Sequence, residues 1–155
     1  VNAEYPVENN ERLFYPWNRL WEQYTDVEPF DYAKNRYINA AGAEFANRRD
    51  EVRWIEFAGV TYGFDCAPED ITNFMAAYTP LMVNQDGETG YKVWLDKDKK
   101  GFVMLNYAGM KKAYDTVRSS QLAAYAWYED IKAKLIAVTE AEGKEKLEEV
   151  FPIGG

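Results

Sequence analysis

Apolar residues follow two rhythms along this chain, and the rhythm changes at identifiable places. The longest run begins at Met110. From there Tyr114, Val117, Gln121, Ala124, Tyr128, Ile131, Leu135 and Val138 recur in alternating steps of four and three. A sustained seven-residue repeat predicts one long helix with a seam along one face. Asn106 is placed to cap its start, and Gly143 to break it. Lys144 to Val150 then reads as a short charged helix, and residues 151–155 as a tail.

Upstream the period falls to two. Arg53, Ile55 and Phe57 alternate with Trp54 and Glu56, and Val60, Tyr62 and Phe64 alternate with Thr61 and Gly63. Alternation rich in β-branched and aromatic residues predicts two strands, paired over residues 52–57 and 60–65 around an Ala58-Gly59 turn. A second hairpin is expected from strands near 91–95 and 102–105, joined by the charged loop Asp96 to Gly101. Helical spacing returns at Tyr37, Ile38, Ala41 and Phe45, which predicts a helix from about Asp31 to Arg49. It returns again at Ile71, Phe74, Met75 and Tyr78. Pro68, with Glu69 and Asp70 behind it, suits the start of that helix, and Pro80 is expected to end it.

These elements define an α+β fold: small antiparallel β hairpins packed with a long C-terminal helix and preceding helices. The expected organisation is an N-terminal arm over residues 1–30, an α+β domain over 31–150 and a five-residue tail. The arm is acidic, with six Asp and Glu against two Arg, and it carries Phe14, Trp17, Leu20, Trp21 and Tyr24 in or beside a short helix. Two arrangements suit such a segment: docking onto another surface, or folding back on its own domain. The long helix leaves the same choice. Its seam residues Met110, Tyr114, Val117, Gln121 and Tyr128 can pack along the chain's own sheet or first helix, or pair with a second copy, where a mid-seam Gln would fix register. These ten side chains are the candidate interface residues.

Composition narrows the function. The net charge of −8 works against binding phosphate backbones or anionic membranes, because such binding needs a basic patch on the protein to release counterions. Aromatic residues make up 16% of the chain, and 12 Tyr and five Trp lend it an amphipathic character suited either to interfaces or to a core poor in Leu and Ile. A single Cys allows no internal disulfide. Cys66 lies near a helix start, which would lower its pKa, but without a His partner it is expected to be a small buried residue rather than a nucleophile. His is missing altogether, and with it the commonest general base and metal ligand. Asp96 and Asp98 begin like a calcium loop, but Lys99 and Lys100 stand where oxygen ligands are needed. Lys97 to Lys100 beside Tyr91, Trp94 and Phe102 suggests base stacking less than a solvated hairpin tip, given the acidic balance. No catalytic residues, cofactor or metal are expected. No apolar run approaches the length of a bilayer span, and VNAEYPVENN lacks the layout of a signal peptide.

The order "IEFAGVTYGFD", "APEDITNF", "KVWLDKDKKGFVML" and "WYEDIKAKLIAV" resembles a phage and prophage domain family of unknown function found in tail-fibre and tail-associated proteins. The resemblance covers residues 44–150. It implies a non-enzymatic tail or tail-fibre component, assembled in the bacterial host cytoplasm and carried in the virion, with other tail or fibre proteins as partners. A tail or fibre assembly chaperone that leaves the finished particle is the alternative.

Overall fold

The computed structural model describes residues 28–154. The aromatic arm residues Phe14, Trp17, Leu20, Trp21 and Tyr24 lie outside them. The described chain runs α1 (Phe30–Asp50), β1 (Arg53–Phe57), β2 (Val60–Phe64), α2 (Pro68–Val83), β3 (Glu88–Asp96), β4 (Lys99–Asn106), α3 (Tyr107–Ala137) and α4 (Lys144–Val150). The fold is α+β, with one four-stranded antiparallel sheet in the order β1-β2-β3-β4. Two compact units can be distinguished, Asn39–Lys134 and, among the described residues, 28–38 with 135–154.

The Asn39–Lys134 unit holds the sheet. Ile55, Phe64, Val93 and Leu105 project from its strands into one core with Phe74, Tyr78 and Leu81 of α2 and Met110, Ala113 and Val117 of α3. Of the alternating sets on β1 and β2, Ile55, Phe57, Tyr62 and Phe64 face this core, whereas Val60 beside the turn is half exposed. Ala58 and Gly59 both have positive φ, 52° and 90°. That is the type I′ geometry that follows the right-handed twist of a two-residue hairpin. Ala58 carries a side chain into a region that favours glycine, while the Gly59 N–H is tied down by the Glu56 carboxylate.

Three boundaries differ from expectation. Pro80 lies inside α2, which continues to Val83. The Pro80 carbonyl still accepts the Asn84 N–H at 2.9 Å, and Leu81 is buried, so packing holds a last turn that local preference would end. The second hairpin is longer than its apolar alternation, pairing Glu88 with Asn106 through to Asp96 with Lys99 across a bulge at Trp94/Asp96. Backbone pairing extends strands past the point where side chains stop being apolar. Helix α3 ends at Ala137, before Gly143. Its start is as expected: the Asn106 side-chain oxygen accepts the Gly109 N–H at 2.9 Å.

In the other unit Lys34 donates to the carbonyls of Ile136 (2.8 Å) and Val138 (2.7 Å), meeting acceptors that a helix C-terminus leaves open. Tyr37 donates to Glu148 at 2.5 Å, and the other Glu148 oxygen accepts from Ile153 and Gly154. The Tyr37 hydrogen bond, followed by that of Gly154, holds the Glu148 carboxyl below its ordinary range.

Candidate functional site

Helices α2 and α3 contribute to the core on one face of the sheet, and the opposite face carries large rings. Register places Trp54, Gly63, Trp94 and Lys100 in one row across all four strands. Gly63 is required there. A Cβ on it would lie 3.0 Å from the Trp54 ring and 3.0 Å from the Trp94 Cβ, so glycine lets the indole lie across the strand. Trp54 remains 47% exposed. Below this row Phe102 sits opposite Lys92, and Met104 opposite Gly90. Phe102 is 76% and Met104 63% exposed. Among the described residues no segment covers these side chains, and Lys92 and Lys100 share the face with them.

The middle of the row is pinned by Asp65. Its carboxylate accepts the Trp94 indole N–H at 2.9 Å and pairs with Lys100, whose ammonium also lies 4.7 Å from the Trp94 ring centroid. Burial pushes the Asp65 carboxyl up, but hydrogen bonds from Lys100 and Trp94 outweigh it, and the net shift is downward from 3.8. A carboxylate with a depressed folded pKa stabilises the fold above its unfolded value, and that contribution disappears as pH falls through the folded one. At neutral pH the wild type is therefore expected to be more stable than Asp65→Asn, with the gap closing on acidification below about 3.8. Urea midpoints of the two proteins across pH 7 to 2.5 check this. A gap that persists at the acid end would mean that the carboxylate's charge is not what matters.

On the inner side, Arg53 is only 9% exposed although it is charged. Its guanidinium donates to the carbonyls of Arg48 (2.7 Å), Arg49 (2.6 Å) and Glu51 (2.5 Å) and to the Ser120 hydroxyl (2.7 Å). It therefore closes the C-terminal end of α1, where carbonyls lack helical partners and the helix dipole is negative. The alternation held a sign of this, since Arg53 occupies an inward position in register with Ile55 and Phe57.

The candidate residues of the long helix point inward. Met110 is 0% exposed and Val117 is also core. Tyr114 contacts the Tyr78 ring at 5.4 Å, and Tyr128 stacks on Phe45 at 5.2 Å. The Gln121 amide donates to the carbonyls of Arg49 (3.0 Å) and Cys66 (3.1 Å). Of the two arrangements open to the seam, packing within its own unit is the one seen: Met110 and Val117 join the sheet core and Tyr128 packs on α1. Gln121 joins two chain segments of its own unit rather than setting register with a copy.

A cavity of about 70 Å³ lies against this packing, walled by Phe74, Met75 and Tyr114, with Arg118 and Gln121 contributing polar groups. Its size suits one small aliphatic group. Cys66 is buried nearby, and its thiol donates to the Phe64 carbonyl at 3.3 Å. Burial pushes the thiol pKa up, against the lowering expected from a nearby helix start. Burial also drives the Tyr91 hydroxyl up to about 12. Both groups are held protonated at neutral pH, as core residues are. Among the described residues no three metal-ligating side chains converge, and no helix is long and apolar enough to cross a membrane.

The fold is a small α+β domain whose sheet, among the described residues, is covered by helices on one face. The chain belongs to the family described as Domain of unknown function (DUF4376), whose model matches residues 36–149. No curated protein and no solved structure is detectably similar to it.

Proposed function

We propose that this DUF4376 chain is a non-enzymatic, protein-binding component of a bacteriophage tail or tail fibre, and that it holds its partner through the open sheet face. The observation that carries the binding role is the exposure, on one face of the sheet, of Trp54 on β1 and of Phe102 and Met104 on β4. Large apolar side chains are costly to leave in water, and aromatic rings are among those that dominate interface energies. Assignment to a tail rests on the resemblance carried by residues 44–150. Localisation in the virion, with assembly in the host cytoplasm, follows from the same reading.

The test uses particles purified from an induced lysogen that encodes the chain. Mass spectrometry is expected to find the protein in tails. Trp54→Ser is expected to weaken capture of its tail partner roughly 30-fold, the effect of losing about 2 kcal/mol at an interface anchor, with the melting temperature little changed. Detection in assembling lysates but never in particles would replace the structural role with that of an assembly chaperone. Capture unaffected by Trp54→Ser would remove the sheet face from the reading.

A further inference from the structure

The two edges of the sheet are finished differently. Strand β1 has five residues, and the Lys112 side chain of α3 donates to the Glu56 carbonyl on it. Strand β4 has eight residues, contains no proline and, among the described residues, pairs only with β3. Among the described residues no backbone or side-chain group bonds the β4 main chain on its far side. A long unpaired edge is a template for another strand, since its outward N–H and carbonyl groups can be satisfied by one. Natural edges are usually shortened, bulged, covered, charged or broken by proline, and β4 carries charge only at its Lys99-Lys100 end. Here the irregularity falls on the inner strand β3, and β4 is left open.

We infer that β4 pairs antiparallel with β4 of a second copy, giving a twofold dimer with one continuous eight-stranded sheet. The strand's own sequence argues for a copy as the occupant. With the twofold axis at Val103, Phe102 of each chain lies opposite Met104 of the other, on the open face. The two most exposed apolar side chains of the strand then cover each other twice. Lys100 falls opposite Asn106, so no lysine meets a lysine and no carboxylate is buried. A register centred on a residue suits either parity of edge hydrogen bonding, because antiparallel pairs alternate between the two kinds. Twofold self-complementarity is what closes an assembly at two copies. The open faces of the two sheets become contiguous, and the dimer presents Trp54 at both outer ends. This rests on the protein-binding reading and divides its surface: Phe102 and Met104 become the contact with a copy, and Trp54 is left for the tail partner.

The test is a charge exchange in the full chain. Sedimentation equilibrium is expected to give the wild type a dimer mass. Phe102→Lys with Met104→Lys places lysine opposite lysine across the axis, and Phe102→Glu with Met104→Glu places glutamate opposite glutamate. Each double variant is expected to run as a monomer. An equimolar mixture is expected to restore the dimer mass, as a heterodimer. Both positions are largely exposed, so near wild-type melting is expected for each variant. Should either fail to fold, amide exchange of wild-type β4 decides instead: its edge amides must gain protection as concentration rises. A wild type that is monomeric at every concentration, a mass other than two chains, or a dimer that survives both variants overturns the inference. A monomer that still enters particles removes the dimer and leaves the tail-component reading standing.

Discussion

Arg53→Met is expected to destabilise the protein by about 3 kcal/mol, seen as a large fall in the urea midpoint with little change in slope. Methionine keeps the apolar stem but leaves the carbonyls of Arg48, Arg49 and Glu51 and the Ser120 hydroxyl without the donors they now have. Buried acceptors without donors carry a desolvation cost of about 1–3 kcal/mol each, and these costs add incompletely within one network. The charge adds to the effect, because a cation at a helix C-terminus is favoured by the dipole. Arg53→Lys is expected to recover less than half of the loss. An ammonium is a compact donor, whereas the guanidinium fork reaches four acceptors at once. Wild-type stability in Arg53→Met would mean that water satisfies the end of α1 as well as Arg53 does.

Phe64→Ala is expected to cost about 4 kcal/mol, the upper part of the range for deleting a buried ring. Phe64 is 1% exposed and lies stacked on Tyr91 at 6.0 Å, edge-on to Phe74 at 6.2 Å and beside Phe57. It also borders the cavity of about 70 Å³. Removing the ring would join a new void to an existing one, and a larger void has fewer ways to collapse. Phe64→Leu refills much of that space and is expected to cost less than half as much. Calorimetric or urea unfolding of the pair checks the ranking. Equal losses would show that ring geometry, rather than volume, holds this part of the core.

Arg53 and Phe64 also show how far the chain could be read before its fold was known. They pair across β1 and β2, and alternation grouped Arg53 with Ile55 and Phe57 and Phe64 with Tyr62, without saying which face was inner. For Phe64 that grouping was enough, because an apolar ring needs only to be buried. For Arg53 it left a cation in a core position with no partner named. The partners are carbonyls, which every residue possesses, so no residue type marks them in a sequence. Gln121 repeats the point. Its place in the seven-residue repeat was legible, whereas its two acceptors, Arg49 and Cys66, come from separate segments.

Local chemistry determined the elements. The hairpin at 53–64, the Pro68 start of α2, the Asn106 cap and the long α3 all follow from interactions within a few residues, where spacing and backbone preference suffice. Folding decided what those elements face. The repeat in α3 specified an apolar seam without specifying its partner, and the core formed by Ile55, Phe64, Val93 and Leu105 supplied one within the chain. The same event left Trp54, Phe102 and Met104 on the uncovered side and β4 at an open edge. Burial and exposure depend on what another segment covers, and that is settled by packing between residues far apart in sequence.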